Sequence, residues 1–376
     1  MKKMLFAIIL LIGGLVCLSV NQHAGAGDTS LGGSGQETAA PQSPDPSSVP
    51  AMTATPAPTP SPTPEPTPEP TPEPPKEETY TITLGGNAML AQYSEWTDMP
   101  GSFTVVVGQN YAYPFSKLQK YLANDDFSFV NLENPFTNGG TPSDKKYKFK
   151  AGPEYAKVLT SGSIEGVALT NNHTKDFGED GYADTKKALD AEKVLYADEA
   201  NPMVYQTARG LKIGVVAFND VGNYQNLNTL ADKAVEQMKG LDVGLKIAYM
   251  HCGVDTNDTP SQQQIDVAHK LIDAGADIVL GSHSLRPYPI EFYKGKPIIY
   301  SLANLCYGGH TEPKDVDTAL VQQKVIVGSD GSVKLGDTII IPCAITGKKG
   351  INDYCPYPYE ENSEGYKRVL ESLKIK

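Results

Sequence analysis

Residues 166–181 read Gly-Val-Ala-Leu-Thr-Asn-Asn-His-Thr-Lys-Asp-Phe-Gly-Glu-Asp-Gly, an apolar run that stops at two asparagines and a histidine. Val167, Ala168 and Leu169 predict a buried strand. Asn171, Asn172 and His173 then fall where an open α/β sheet presents its ligand crevice, at the carboxyl end of the strand. Tyr182 to Ala191 has the apolar spacing of a helix returning across that sheet. An Asn after a strand also suits a turn, so the pair decides nothing alone. Repetition does: strand-like runs also end at Asn87, Glu133, His251 and His283. Tips from such distant parts of a chain converge only if they lie in neighbouring strands, and oxygen and imidazole donors gathered there predict a divalent metal site.

The strands flanking this motif alternate with helices. Tyr80–Leu84 and Phe127–Asn131 precede it, with helices expected at Phe115–Leu122 and Glu154–Thr160. After it come a hairpin (204–207 with 211–218), a helix at Thr229–Lys239 and a strand at Gly244–Met250. A helix at Ser261–Ala274 follows, stopped by Gly275, and then a strand at Asp277–Leu280. Such alternation calls for a mostly parallel sheet covered by helices. Two further hairpins, 290–293 with 297–301 and 319–327 with 333–341, suggest a second sheet packed on the first. A helix at Glu361–Leu373 closes the chain. Lys145–Lys150 alternates basic residues with Tyr147 and Phe149, which fits an edge strand with rings inward or a basic wall facing an anion.

The 376 residues carry a formal net charge of −12. That excess, with a pI near 5.0, argues against nucleic acid or an anionic membrane surface as partner. Residues 1–26 read as an export signal: Lys2 and Lys3, an apolar run from Met4 to Val20, then Ala24-Gly25-Ala26. Cleavage after Ala26 and retention as an anchor both fit that length. Lipid attachment at Cys17 is disfavoured because Val16 is not small. Residues 27–78 form a Pro/Thr/Glu-rich linker without the apolar content to pack a core. At about 3.1 Å per residue, 50–75 would span on the order of 80 Å as polyproline; a plain disordered leader is the other reading. Residues 79–376 are then one domain, at the cell surface or secreted, that meets the membrane only through its N-terminal segment.

At this point the residues carry a family. Asn131-Leu132-Glu133, Asn171-Asn172-His173 with Asp176 and Gly178, His251-x-Gly253, and Ser282-His283 running on to Pro289-Ile290-Glu291 are four of its motifs. The fifth is Tyr293-x-Gly295-Lys296-Pro297-Ile298-Ile299-Tyr300-Ser301-Leu302-x-Asn304. In this order they resemble the bacterial CapA family of capsule or poly-γ-glutamate synthesis proteins, whose fold is similar to calcineurin-type metallophosphoesterases. The resemblance implies an α/β protein built as a four-layer α/β/β/α sandwich. It also implies Glu133 as a bridging carboxylate, with Asn172, His251 and His283 completing one cation (Mn, Zn or Mg) and His173 as the acid protonating a leaving group. Asp176 and Asp255 are candidates to orient a histidine.

This chain departs from the family at the other cation. Asn87 stands in Gly86-Asn87-Ala88-Met89-Leu90 where the family has Asp, leaving at most a residual ligand. Leu285 stands in His283-Ser284-Leu285 where the family has a second His. Two cations about 3.5–4 Å apart would then repel with one carboxylate between them, so a single metal is expected. Cys252 and Cys306 stand near the centre as a pair, as metal ligands or as small buried groups, and Cys343 with Cys355 is a possible disulfide in an exported protein. The resemblance implies a role in surface-polymer biosynthesis or export, with an anionic polymer or its synthesis machinery as partner. A metal-dependent phosphoesterase or γ-glutamyl hydrolase and a non-catalytic polymer-binding surface protein are the alternatives.

Overall fold

Residues 76–221 and 226–374, which the computed structural model describes, build two mixed sheets and one two-stranded ladder, with helices between the strands. The expectations for 1–75 lie outside the described residues. In the first sheet Glu78–Met89, Phe127–Leu132, Gly166–Ala168 and Leu195–Ala197 run parallel. Asp317–Val327, Val333–Ala344 and Tyr357–Pro358 extend it antiparallel, and Asn304–Tyr307 pairs in parallel with the last turn of the first strand. In the second sheet the order is Ile290–Tyr293, Lys296–Ile299, Ile278–Ser282, Leu245–His251, Lys212–Asn219, Met203–Gln206.

The period of two decides what faces what. Ile82, Leu84, Phe127 and Phe129 of the first sheet share a core with Ile213, Val215, Ile247, Tyr249, Ile278 and Leu280 of the second. The intervening residues turn outward. Val130, Leu132 and Val167 pack with Phe115, Leu118, Leu159 and Leu189. Ala248, Met250 and Val279 pack with Ala231, Ala234, Val267 and Leu271 from helices Leu227–Lys239 and Gln262–Asp273. Asn131 continues the inward side of Phe129 and His251 that of Tyr249, so the carboxyl ends of both sheets present polar groups to one mouth.

Close backbone approach at that mouth requires glycine. A Cβ on Gly86 would stand 2.0 Å from the Ala303 carbonyl oxygen, and one on Gly281 would stand 2.3 Å from that of Tyr300. Helix Gln262–Asp273 begins in a capping box in which Ser261 and Gln264 satisfy each other's backbone N–H groups. The Gln264 amide also donates to the Cys252 carbonyl at 3.2 Å, tying the helix start to the turn after His251.

Several expectations are corrected. Residues 115–122 bury the expected face, but only Gln119–Leu122 is α-helical, because i→i+3 bonds such as Leu118 N to Phe115 O (2.9 Å) hold the start in turns. The 154–160 helix splits into a 3₁₀ turn, Pro153–Ala156, and a short helix, Lys157–Ser161. Within 145–150 only Phe149–Lys150 is a strand, paired with Gln92–Tyr93, and Tyr147 points outward with 55% of its surface exposed. The two late hairpins join different sheets rather than founding the second one: 290–299 ends the second sheet and 317–344 widens the first. Cys252, Cys306, Cys343 and Cys355 are buried as free thiols. Neither the Cys343–Cys355 nor the Cys252–Cys306 disulfide is therefore formed, and Cys343 instead donates to the Ile341 carbonyl at 3.2 Å.

Gly281→Ala is expected to destabilise the fold by about 1–3 kcal/mol through overpacking against backbone that cannot retreat. Chemical denaturation measures it, and an unchanged midpoint would contradict the close approach.

Candidate metal centre

Glu133, one residue past its strand, His251 at the end of its strand and His283 after Ser282 bring ligand atoms within 4.8 Å of one another, and all three are buried. His251 Nε2 lies 3.7 Å from Glu133 Oε1 and 2.9 Å from Asn172 Oδ1. Two donors each about 2.1 Å from one tetrahedral ion stand about 3.4 Å apart, so these separations suit a shared cation. The opposite side of His251 is fixed from the interior. Its Nδ1 meets Ser282 Oγ at 2.7 Å and the Tyr249 hydroxyl at 3.2 Å, and those two hydroxyls also bond each other. His283 adopts φ +100°, a conformation that costs energy for a residue with a Cβ and often marks functional sites.

The electrostatics fit the same group. Burial, then the charges of Asp255 and Asp176, push the Glu133 carboxyl up to about 8. Burial, then His283 and His173, hold His251 well below the usual imidazole range, in the neutral form that ligates metal. A buried carboxylate facing further acids lacks a positive neighbour, and a divalent cation would supply it. Asp255 meets His283 Nε2 at 2.5 Å, and that bond holds its own carboxyl below the usual range.

The remaining predicted residues fall into two arrangements. His173 Nδ1 meets Asp176 Oδ2 at 2.7 Å. The wholly buried Asp176 also accepts from Phe149 N at 3.0 Å and from Lys145 Nζ at 3.2 Å, while Lys145 bonds the Asn172 carbonyl too. Asn87 lies in a ladder of amides along the first sheet. Its Nδ2 donates to Asn304 (3.3 Å), its Oδ1 accepts from Asn131 (3.0 Å), and Asn131 accepts from Asn171 (2.9 Å). Both ends of the Asn87 amide are thus engaged within the sheet.

Reading the sequence missed the parts played by Tyr249 and Ser282 and the rings of Tyr93, Trp96 and Tyr307 beside the triad, whereas Lys145, Tyr147 and Phe149 fall in the stretch read as an edge strand or a basic wall. Ser282 is the cross-strand register partner of His251, and Tyr249 lies two residues before it on the same face. The period of two could have found Tyr249. The pairing of strands some thirty residues apart was needed for Ser282.

The sequence profile described as bacterial capsule synthesis protein PGA_cap matches residues 81–308. The chain belongs to that family. It is 28% identical over 328 residues to the PGA biosynthesis protein CapA of Bacillus subtilis, covering 80% of each chain. It is 27% identical to the capsule biosynthesis protein CapA of Bacillus anthracis, covering 66% of this chain and 64% of that one. A probable polyglutamine synthesis accessory protein of Mycobacterium tuberculosis is 26% identical over 239 residues, 54% of this chain and 62% of that one. Among solved structures, a hypothetical protein from Thermus thermophilus aligns with TM-score 0.41 and 13% identity, over 70% of this chain and 99% of the other. Haemophilus influenzae NAD nucleotidase aligns with TM-score 0.38 and 13% identity, over 80% of this chain and 57% of the other. Neither likeness is close enough to carry an argument about this CapA family protein.

A carboxyl raised to about 8 binds a proton more tightly folded than unfolded. Its contribution to the metal-free protein is therefore full below the unfolded value, about 4.3, and is lost as pH rises toward 8. In chelator-treated protein, Glu133→Gln is expected to lessen the fall in stability between pH 5 and pH 9, as read by denaturant midpoints. Identical pH profiles for parent and variant would contradict the placement of Glu133.

Proposed function

We propose that this CapA family protein acts in the biosynthesis or export of a capsule or poly-γ-glutamate type surface polymer, as a metal-dependent hydrolase with one divalent cation. The observation carrying the reading is the convergence of Glu133, His251 and His283, with Asn172 in bonding reach of His251. Two facing sheets with helices packed against their outer sides support the finer expectation, a four-layer α/β/β/α sandwich of the metallophosphoesterase type. The relatives named for PGA and capsule biosynthesis support the polymer class. Export through 1–26 and display on the 27–78 linker belong to the same proposal and rest on the sequence.

When bound, the cation would supply Lewis acidity toward a phosphoryl or carbonyl oxygen. Glu133 supplies the negative charge that holds it, and Asn172, His251 and His283 complete the donor set. Ser282 and Tyr249 fix the His251 ring so that Nε2 faces the triad. Asp176 holds Nδ1 of His173, leaving Nε2 to deliver a proton to a leaving group. Asp255 orients His283. Asn87 stays outside the proposed ligand set because its amide is engaged in the ladder.

A second reading, non-catalytic polymer binding, is favoured by one feature: Leu285 lines the cavity beside His283, where the family pattern places a further imidazole. Hydrolysis of a generic phosphodiester and of γ-glutamyl polymer with added Mn²⁺ or Zn²⁺ separates the two. About one metal equivalent is expected, together with turnover that His251→Ala abolishes. His173→Gln should lower turnover about a hundredfold or more while metal content stays unchanged. Metal binding with no turnover on either substrate would favour the binding reading, and no bound metal would reject the centre itself.

A further inference from the structure

The triad opens into a cavity of about 710 Å³ lined by three tyrosines, Tyr93, Tyr147 and Tyr307, whose hydroxyls are placed differently. The short ladder of Gln92–Tyr93 with Phe149–Lys150 sets the rings of Tyr93 and Phe149 6.3 Å apart as an aromatic wall. The Tyr93 hydroxyl donates to the Lys146 carbonyl at 3.0 Å. Tyr147 is 55% exposed at the outer edge of that wall. Tyr307 is partly buried, packed against the core outside the first sheet, and held firmly. Its strand, Asn304–Tyr307, places it in register with Met89, and Asn352 Nδ2 donates to its carbonyl at 2.6 Å. A Cβ on Gly309 would stand 2.7 Å from Tyr307 Cε2, so the turn after the strand makes room for the ring by lacking a side chain.

Among the described residues no group bonds the Tyr307 hydroxyl, and it is not sealed from solvent, so it is left open to the cavity that its ring lines. We infer that this hydroxyl is a catalytic donor: it gives a hydrogen bond to the phosphoryl or carbonyl oxygen of the group attacked beside the cation. The inference rests on the proposed function in taking the triad end as the reacting end, and it adds a donor that the proposed ligand set does not supply. A neutral donor facing an oxygen that gains negative charge bonds it more strongly as the charge develops. Burial, then the charges of Glu133 and Asp255, push the Tyr307 phenol up to about 12 in the metal-free protein. A cation on Glu133 opposes that rise, and the ordinary phenol value near 10 still keeps the proton in place at neutral pH. Tyr307 thus donates without losing its proton, and the proton for the leaving group remains the task of His173. Other donors at the cavity are engaged elsewhere. Lys145 Nζ bonds the Asn172 carbonyl and Asp176, and Lys146 Nζ lies 4.9 Å from the centroid of the exposed Tyr147 ring.

Tyr307→Phe keeps the ring and removes the hydroxyl alone. Full-length parent and variant, loaded with Mn²⁺, are compared on bis(p-nitrophenyl) phosphate and on γ-glutamyl polymer. On the substrate that turns over, kcat is expected to fall about a hundredfold, with KM within about twofold of the parent's and metal content unchanged. Equilibrium dialysis with inorganic phosphate gives a readout independent of turnover, and the variant is expected to bind about tenfold more weakly. A variant with the parent's kcat and phosphate affinity would overturn the inference and leave the metal reading standing. Loss of metal from the variant would make Tyr307 a ligand and overturn it too. Turnover of neither substrate by the parent would reject the hydrolase reading instead. The phosphate titration then decides the donor by itself: weaker binding by the variant supports it, and equal affinities, or no phosphate bound to the parent, overturn it.

Discussion

A carboxylate held away from water beside two imidazoles is the interaction on which the account of this chain depends. Glu133 is 5% exposed, and burial together with Asp255 and Asp176 disfavours its charged form. Both sheets are arranged to make that confinement. Inward-facing residues of the two sheets share one core, so the last inward residues, Asn131 and His251, must reach the same mouth. Gly86 and Gly281 let neighbouring backbone close around it.

At the tips of the first sheet this chain runs a neutral amide ladder through Asn304, Asn87, Asn131 and Asn171. Asn171 donates to Asn131, Asn131 to Asn87 and Asn87 to Asn304, so the strand tips are crosslinked without charge. Asp at position 87 would keep the acceptor that Asn131 uses and lose the donor to Asn304. Leu285 lines the cavity together with His283, adding an apolar surface there.

Much of this was legible in the sequence because it rests on periodicity. The strand tips and their convergence follow from runs that stop at polar residues, and the two helices over the second sheet follow from their apolar spacing; grouping Glu133, His251 and His283 on one cation came from the family resemblance. Partners set by pairing across long stretches of chain were not legible, such as Ser282 against His251 or the two-residue ladder that builds the aromatic wall. Helix expectation failed at 115–122 and 154–160, where the apolar spacing is right but the hydrogen bonds are those of turns and a 3₁₀ segment. Export chemistry suggested disulfides, yet Cys306 and Cys355 each sit against polar partners of their own, the Tyr354 carbonyl at 3.6 Å and Ser116 Oγ at 3.5 Å.

The central claim is that one cation, and no second, belongs between the two sheets. Anomalous diffraction from crystals soaked in Mn²⁺ or Zn²⁺ tests it most directly. The account predicts a single peak within bonding distance of Glu133, His251 and His283. A pair of peaks with one beside Asn87, or no peak among those three side chains, would contradict it.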